Sequence, residues 1–373
     1  MRVGERPGNA EWRMGAAEGR MSQPRIPIAV GPRLLLSSRS MKTFLALFTL
    51  AASPIISAQI TYPGGKGPGE GKHVVFLASD HEYRAEETCP ALARILAKSH
   101  GFKCTVIFGV DQDGHIQAGS SKLSGMESLK DADLLVISAR FLNPPAGEMT
   151  HLDDYLARGG PVVGLRTSSH AFKIPGNAPT AKYSFDSKVA GFEKGFGHQV
   201  LGNTWVGHHG DNHRQGTRIE LVPGQKANPI LKGVPDTAFC HAGGYVGQAA
   251  PDFTVLATSQ PLVSMDPKAE ADPKKASMPC TWTREYSWGG GKKGRAFHST
   301  QGASEDILDP GYRRLIVNGI FWAAGLEDKI TPDLAIDFIG PYQPTTFSFD
   351  GCVKGVKPAD LAGFESPIMP KGK

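Results

Sequence analysis

Cysteine is scarce in this chain, which has five cysteines among 373 residues and no C-x-x-C pair. An odd number leaves at least one thiol without an intramolecular partner. No cysteine lies in a sharp turn beside a candidate base, so the sequence predicts no catalytic thiol. The five are Cys89, Cys104, Cys240, Cys280 and Cys352.

A dinucleotide-binding fingerprint and an excess of charge are also missing from the body of the chain. No G-x-G-x-x-G follows the first predicted strand, residues 73–78, so no nucleotide cofactor is expected. The formal net charge of +5 lies in residues 1–58, which hold eight Lys and Arg but three Asp and Glu. The remaining residues hold 33 of each sign. A neutral body gives no electrostatic reason to expect nucleic acid or an anionic membrane as partner.

The apolar run near the N-terminus, residues 44–52, is too short to cross a bilayer comfortably. It follows Met41 and a lysine and is followed by small residues, so residues 41–58 are typical of a secretory signal cleaved after Ala58. We therefore expect a periplasmic or extracellular protein with no stable membrane anchor after cleavage. Residues 1–40 are interpreted as an over-extended reading frame, and a genuine disordered extension is the alternative.

Predicted strands and helices alternate along residues 72–330. The helix after the first strand places Leu92, Ile95 and Leu96 on one face and ends at Gly101. Three strand-to-helix alternations favour an α/β fold with a flavodoxin-like, doubly wound, mostly parallel sheet, to which later short β runs add edge strands. The other predictions are a linker at 59–71, strands at 103–108, 134–138 and 161–165, helices at 147–158 and after Asp309, an irregular roof at 172–216, β runs at 218–222, 253–257, 261–265, 278–283 and 295–299, and an extended C-terminal tail at 331–373 packing on the domain.

Arg166 is the leading candidate for a functional residue, because it follows the buried strand 161–165 directly. The carboxyl ends of strands in open α/β sheets face the ligand crevice. A planar guanidinium held there can grip the oxygen atoms of a substrate. An internal ion pair with Glu82 or Asp80 is the alternative. His170 follows four residues later, and is either an acid/base group or a satisfied structural histidine.

Polar residues after the first and the last predicted strands would face the same crevice. Glu82 is a candidate general base if partial burial raises its pKa. Asp80 and Arg84 are candidate substrate ligands, although Arg84 could instead pair with Glu82 or Glu86. After the last strand, we expect Thr300, Gln301 and Asp306 to contact substrate, with turn and cap chemistry alongside Asp309 as an equal alternative for Asp306.

The densest group of histidines is His208, His209 and His213, which lie with Asp211 in a segment expected to be a loop. Three imidazoles and a carboxylate suit a divalent ion such as zinc. His208 is also a candidate substrate ligand. The alternative is a polar loop whose histidines bind backbone groups or lie at a subunit contact.

The segment GGPVVGLRTSSHAF, residues 159–172, resembles the strand–elbow–helix of the class I glutamine amidotransferase-like fold. Arg166 stands where that superfamily has its nucleophilic cysteine, and no His-x-Glu pair follows late in the chain, where His298 is followed by Ser and Thr. A guanidinium has no nucleophilic lone pair, so the amidotransferase reaction is excluded.

A branch with this replacement is the ThuA-like (trehalose utilisation) family, which the chain resembles at residues 80–87, 206–210, 300–306 and 313–319 in the same order. The resemblance covers roughly residues 72–326. One departure is Ala303, where many relatives have histidine.

The resemblance implies an exported protein that acts on or binds a carbohydrate, a sugar or keto-sugar, in the crevice at the strand ends. In this reading Arg166 orients oxygen atoms and Glu82 or His170 moves a proton. The alternative is a non-catalytic carbohydrate-binding or scaffold module on the same fold. A homo-oligomer is compatible with either reading.

Overall fold

The computed structural model describes residues 57–369. The predicted extension 1–40, and the predicted signal 41–58 except for its last two residues, lie outside the described residues. Within 57–369, no helix has the length and apolar character needed to cross a membrane.

A ten-stranded mixed sheet forms the centre of the domain, so the predicted α/β class is confirmed in its coarse form. Five neighbouring strands at its centre run parallel, and antiparallel strands extend it on both sides. In spatial order the strands are β1 (Gln59–Tyr62), β3 (Lys103–Phe108), β2 (His73–Ser79), β4 (Leu134–Ala139), β5 (Val162–Leu165), β12 (Lys293–Ser299), β11 (Met278–Ser287), β10 (Thr254–Pro261), β7 (Thr217–Leu221) and β8 (Thr237–Cys240).

Three α-helices cover the sheet: α1 (Ala85–His100), α2 (Ala146–Ala157) and α3 (Pro310–Ala323). Side chains alternate across a strand, so Phe76 of β2 joins the core beneath α1 and α3, whereas Leu77 joins the core beneath α2. Both faces of the central strands are therefore buried, which explains their continuous apolar runs.

The boundaries of α1 follow from local sequence signals. Leu92, Ile95 and Leu96 are fully buried, as their spacing predicts. The helix ends at Gly101, which has a φ of 82° and donates its backbone N–H to the Ala97 carbonyl at 3.2 Å. Glycine adopts this left-handed conformation without the penalty that a Cβ imposes, so the predicted stop is confirmed.

Part of the predicted linker is a strand instead. Within 59–71, residues Gln59–Tyr62 form β1, which pairs antiparallel with β3 at the edge of the sheet. Ile60 and Tyr62 alternate inward and are buried, a pattern of two residues that is too short to stand out beside the Gly- and Pro-rich residues that follow.

The later β runs are placed differently from the sequence prediction in three respects. The expected roof, 172–216, contains a regular strand, β6 (Asn203–His209), which pairs with β9 (Gly244–Ala249) in a separate two-stranded sheet. The run expected at 253–257 continues to Pro261 as β10 (Thr254–Pro261), whereas the run expected at 261–265 is not a strand beyond Pro261. Last, β12 lies parallel to β5 in the centre of the sheet rather than at its edge.

The C-terminal tail packs along the domain without long regular elements. The Arg94 side chain of α1 is fully buried and donates to the carbonyls of Leu361 and Ser366 at 3.0 and 2.6 Å. These charge-assisted bonds attach the tail to the helix.

Candidate functional site

The loops that follow β2, β5 and β12 meet at the carboxyl ends of the parallel strands. The Arg166 backbone N–H donates to the Gln301 carbonyl at 3.0 Å, and the Thr167 hydroxyl donates to the Asp80 carboxylate. The Tyr83 hydroxyl lies 3.1 Å from Nε2 of His208. The structure therefore brings the predicted neighbourhoods of Asp80, Arg166 and His208 together.

The Arg166 guanidinium lies between two tyrosine rings. Its central carbon is 3.9 Å from the centre of the Tyr83 ring and 4.2 Å from that of Tyr245. Nη1 donates to the carbonyl of Thr300 at 2.9 Å and to that of Gly243. Nε and Nη2 have no hydrogen-bond partner among residues 57–369. Arg166 thus makes cation–π contacts and carbonyl bonds in place of the ion pair considered as an alternative.

The Arg166 backbone has a φ of 51°, in the left-handed region that residues other than glycine seldom adopt. A turn of this kind directly after a buried strand directs the side chain back across the strand ends. Strained backbone of this sort concentrates at functional sites, where the surrounding structure maintains it.

Glu82 forms an ion pair with Arg140, a residue that sequence reasoning missed. The Arg140 Nη1 lies 2.9 Å from Oε2 of Glu82, and both side chains are nearly buried. Burial raises the pKa of Glu82, and the charge of Arg140 opposes part of that shift. Arg140 directly follows β4, so the rule that singled out Arg166 at the end of its strand would also have found it.

Aromatic rings surround His170, which is 1% exposed. Its ring centre lies 5.1 Å from Phe141, 5.0 Å from Trp205 and 5.3 Å from Tyr245. Burial, with help from the nearby charges of Arg140 and Arg166, holds the pKa of His170 well below its ordinary value. The imidazole is therefore neutral at physiological pH, which suits hydrogen bonding better than donation of a proton. The sequence feature that could have pointed to Trp205 as a site residue is the high aromatic content of residues 172–216.

Asp80 and Arg84 organise the loop after β2. The Asp80 carboxylate accepts the backbone N–H groups of Glu82 at 2.7 Å and Tyr83 at 3.0 Å, besides the Thr167 hydroxyl. The buried Arg84 guanidinium pairs with Glu86 at 3.2 Å and donates to the Glu82 carbonyl at 3.1 Å. These partners position the loop, while Nε of Arg84 has no hydrogen-bond partner among residues 57–369.

The carboxylate of Asp306, which is an expected substrate contact, is likewise occupied by hydrogen bonds within the protein. Its carboxylate is fully buried and accepts four backbone N–H groups, two on each oxygen. The bonds join the loop after β8 to the loop after β12. The donors are His241 at 2.7 Å, Ala242 at 3.1 Å, Gly302 at 2.9 Å and Ala303 at 3.0 Å.

Thr300 and Gln301 are also buried at this junction. The Thr300 hydroxyl donates to the Gln301 side-chain oxygen at 2.7 Å, and their backbone carbonyls accept from Arg166. The two residues therefore hold Arg166 in place through their backbone. The expected contact with substrate through their side chains would have to compete with this internal bond.

The three histidines do not assemble into a metal site. His208 and His209 are neighbours on β6, not on a loop, so their side chains point to opposite faces. Nε2 of His209 lies 2.7 Å from the Ala276 carbonyl, and His213 stacks on Phe347 at 4.4 Å. Across 57–369, ligand atoms close enough to share an ion are found instead at Asp111, Asp113 and His115.

The cysteines are five buried free thiols. Burial raises the pKa of Cys280 to about 12 and that of Cys240 well above its usual value. Burial likewise raises the pKa of Cys89 and Cys104, so these four thiols favour the protonated form, which is the less nucleophilic one.

A groove with a volume of about 720 Å³ lies beside the site and is lined by residues including Asn143, Lys173 and Lys188. None of the predicted site residues lines it. Its link to the site is Lys173, whose Nζ lies 5.7 Å from the centre of the Phe141 ring. The groove is therefore separate from the cluster of polar residues at the strand ends.

A comparison with protein-family models identifies the family of this chain. The ThuA family model, described as trehalose utilisation, matches residues 73–323, more than half of the chain. The chain belongs to the ThuA family. Membership confirms the resemblance seen in the sequence and suggests a role in trehalose utilisation.

Solved ThuA-like structures resemble this ThuA protein at low sequence identity. A ThuA-like protein from Bacteroides uniformis is 16% identical, with 74% of this chain and 100% of that chain covered and a TM-score of 0.45. One from Parabacteroides merdae is 16% identical, with 74% and 96% covered and a TM-score of 0.43. Comparison with curated proteins finds no significant match.

Ala303 marks the departure of this ThuA protein from the pattern expected of its relatives. It is fully buried in a small cluster with Tyr83, Ala242, Tyr245 and Phe347. An imidazole here would need room that the Phe347 ring takes up in part. Phe347 belongs to the C-terminal tail, outside the family match.

His298 lies beneath the site in β12 and predicts a dependence of stability on pH. It is fully buried, Nδ1 lies 2.9 Å from the Gly164 carbonyl, and burial lowers its pKa to about 3. Between pH 6.5 and 3, His298 is protonated in the unfolded chain but not in the folded protein. The free energy of unfolding therefore decreases as pH falls. From pH 7 to 5 this residue should remove about 2 kcal/mol from the free energy of unfolding.

Urea unfolding of the wild type and of His298→Gln at pH 7 and pH 5 measures this effect. The wild type should lose more stability than the variant on acidification. Equal losses would show that His298 does not carry the effect.

Proposed function

We propose that this ThuA protein binds a sugar at the strand ends through polar groups that the protein itself leaves without partners. The main observation that supports this proposal is that several buried polar atoms without hydrogen-bond partners lie at the strand ends. Buried polar groups are normally hydrogen-bonded, so orphaned ones at a site point to an absent partner. These atoms include Nε and Nη2 of Arg166, Nε of Arg140, Nε1 of Trp205 and the hydroxyl of Tyr245, and Nε of Arg84 in the loop after β2 is also without a partner.

A sugar fits this set because it combines many oxygen acceptors with an apolar ring face. The unpartnered atoms are mostly donors, which favours a carbonyl or a hydroxyl oxygen as their target. Trp205 and Tyr245 add aromatic surface beside these donors, the usual composition of a small-molecule site. A keto-sugar, whose carbonyl can only accept, matches the donors best.

For the chemistry, we propose a proton transfer next to such a carbonyl. Glu82 is the base, since burial raises its pKa above the ordinary carboxyl value and so makes the carboxylate more basic. The guanidinium groups of Arg166 and Arg140 would stabilise negative charge on the carbonyl oxygen. The alternative is sugar binding without reaction, which the neutral, enclosed His170 favours because it offers no ready acid.

Tyr245→Phe tests the proposal, because it deletes one unpartnered hydroxyl and little else. The free energy of unfolding should stay the same or rise by up to about 1 kcal/mol, since a buried unsatisfied group is removed. Affinity for the bound sugar should fall about three- to tenfold, because the lost bond is made only to ligand. Calorimetry against trehalose, glucose and their keto derivatives measures binding, and denaturant unfolding measures stability.

Tyr155→Phe is the matched control. The Tyr155 hydroxyl donates to the Pro161 carbonyl at 2.6 Å, at the opposite end of β5 from Arg166. Its loss should lower the free energy of unfolding by about 1 kcal/mol and leave affinity unchanged. If Tyr245→Phe lowers stability and leaves affinity intact, the unpartnered groups do not serve a ligand. Binding without chemical change in the sugar would favour the non-catalytic alternative.

We also propose that the protein is exported and that its sheet is of the doubly wound, flavodoxin-like class. Export is supported by the signal pattern at residues 41–58. The fold class is supported by the order β3-β2-β4-β5-β12 of the parallel strands and by helices on both faces.

A further inference from the structure

A short segment of the C-terminal tail, residues 345–349, lies against the mouth of the site. Thr345 donates its backbone N–H and its hydroxyl to the Glu87 carboxylate at 2.9 and 2.7 Å. The Ser304 hydroxyl donates to the Thr345 carbonyl at 3.0 Å, and Arg84 donates to the carbonyl of Ser348. The segment is therefore attached to the loops after both β2 and β12.

Two phenylalanines on this segment face different surroundings. Phe347 is buried and packs 5.1 Å from the Tyr83 ring. Phe349 is 56% exposed, although its ring lies 5.4 Å from His81 and 5.0 Å from the guanidinium carbon of Arg140. Arg140 in turn pairs with Glu82, so the exposed ring contacts the arginine that is paired with the proposed base.

We propose that Phe349 is a specificity residue of the ThuA site: its exposed ring is the wall on which a pyranose ring of the ligand stacks. The inference rests on the proposed sugar-binding function and assigns part of that site to the tail. It places a binding residue outside residues 73–323, the span of the family match.

The physical argument is that a ligand covering the exposed ring removes apolar surface from water, which is favourable. Phe349 is held on a segment with several hydrogen bonds, so little conformational freedom is lost when a ligand covers it. The ring supplies an apolar face where Arg140 and Glu82 supply polar atoms, and a sugar needs both. A covering sugar would also exclude water from the Glu82–Arg140 pair.

The test compares Phe349→Trp, Phe349→Leu and Phe349→Ala with the wild type, using trehalose, glucose and their keto derivatives. Stacking requires an aromatic face, so the Leu and Ala variants should bind the best of these sugars about three- to tenfold more weakly. The Trp variant should stay within about twofold, and its new indole should change fluorescence on binding. Val263→Ala is the control, because Val263 is 54% exposed on a loop and should affect nothing.

Several outcomes separate this inference from the proposed function. If the wild type binds none of the sugars, the sugar-binding function fails and the role of Phe349 fails with it. If the wild type binds and Phe349→Ala binds equally well, only the role of Phe349 is wrong. Phe349 could instead merely position Arg140. In that case the pH dependence of binding would shift in Phe349→Ala, and the Trp variant would show no fluorescence response to sugar beyond that of the wild type, which would overturn stacking. Melting temperatures of all variants should match that of the wild type.

Discussion

Arg166→Lys is expected to abolish sugar binding and to lower the free energy of unfolding by about 2–4 kcal/mol. Lysine retains the positive charge but cannot stack a planar group between Tyr83 and Tyr245. A single ammonium also cannot reach the Thr300 and Gly243 carbonyls while leaving donors for a ligand. Charge alone therefore does not replace the geometry of the guanidinium.

Denaturant unfolding and calorimetry measure the two effects of Arg166→Lys separately. Arg295→Lys is the control, because Arg295 forms a surface ion pair with Glu327 and its side chain is 42% exposed. Its effect on stability should stay within about 1 kcal/mol, and its affinity for sugar should be that of the wild type. Unchanged sugar affinity in Arg166→Lys would contradict the central role given to Arg166.

Asp306→Asn is expected to lower the free energy of unfolding by about 3–5 kcal/mol. The Asp306 carboxylate accepts two N–H groups on each oxygen, so an amide nitrogen at one position would face two donors with nothing to accept them. The loops after β8 and β12 would then separate. The Thr300 and Gln301 carbonyls that hold Arg166 belong to the same junction. Sugar binding should therefore decrease in proportion to the fraction of the protein that unfolds.

Asp309→Asn provides the comparison for Asp306→Asn. Asp309 caps α3 through Tyr312 at 2.9 Å and accepts a second bond from Phe239 at 3.1 Å. Asparagine is also a good cap, so this change should cost only about 1 kcal/mol. If Asp306 contacted substrate instead, Asp306→Asn would retain stability and lose affinity, the reverse of the expected result.

These predictions divide the polar residues at the strand ends into two groups. Asp80, Arg84 and Asp306 have their hydrogen-bonding capacity taken up largely by the protein and hold the loops in position. Arg166 and Arg140 retain buried N–H groups without a hydrogen-bond partner among residues 57–369, and Glu82 is held beside them by its ion pair with Arg140. Sequence position alone treats both groups alike, since all six residues follow strands.

The sequence by itself determined the central strands, the three helices, the place of Arg166 and the membership of the ThuA family. Those features depend on local patterns: apolar runs that suit a doubly covered sheet, the 3.6-residue period of α1, and motifs in a fixed order. The same local logic predicts no cysteine nucleophile, because Arg166 stands at the end of β5.

Only the tertiary structure decided which polar groups are left without partners. Partners such as Arg140 for Glu82, or the four N–H groups for Asp306, come from segments far apart in the chain, and no local pattern encodes their distance. Strand pairing likewise turned His208 and His209 to opposite faces and so separated ligands that adjacency had suggested. Phe349 reaches the site because the tail is attached there by bonds to Glu87 and Arg84, and such long-range contacts depend on the packing of the whole domain.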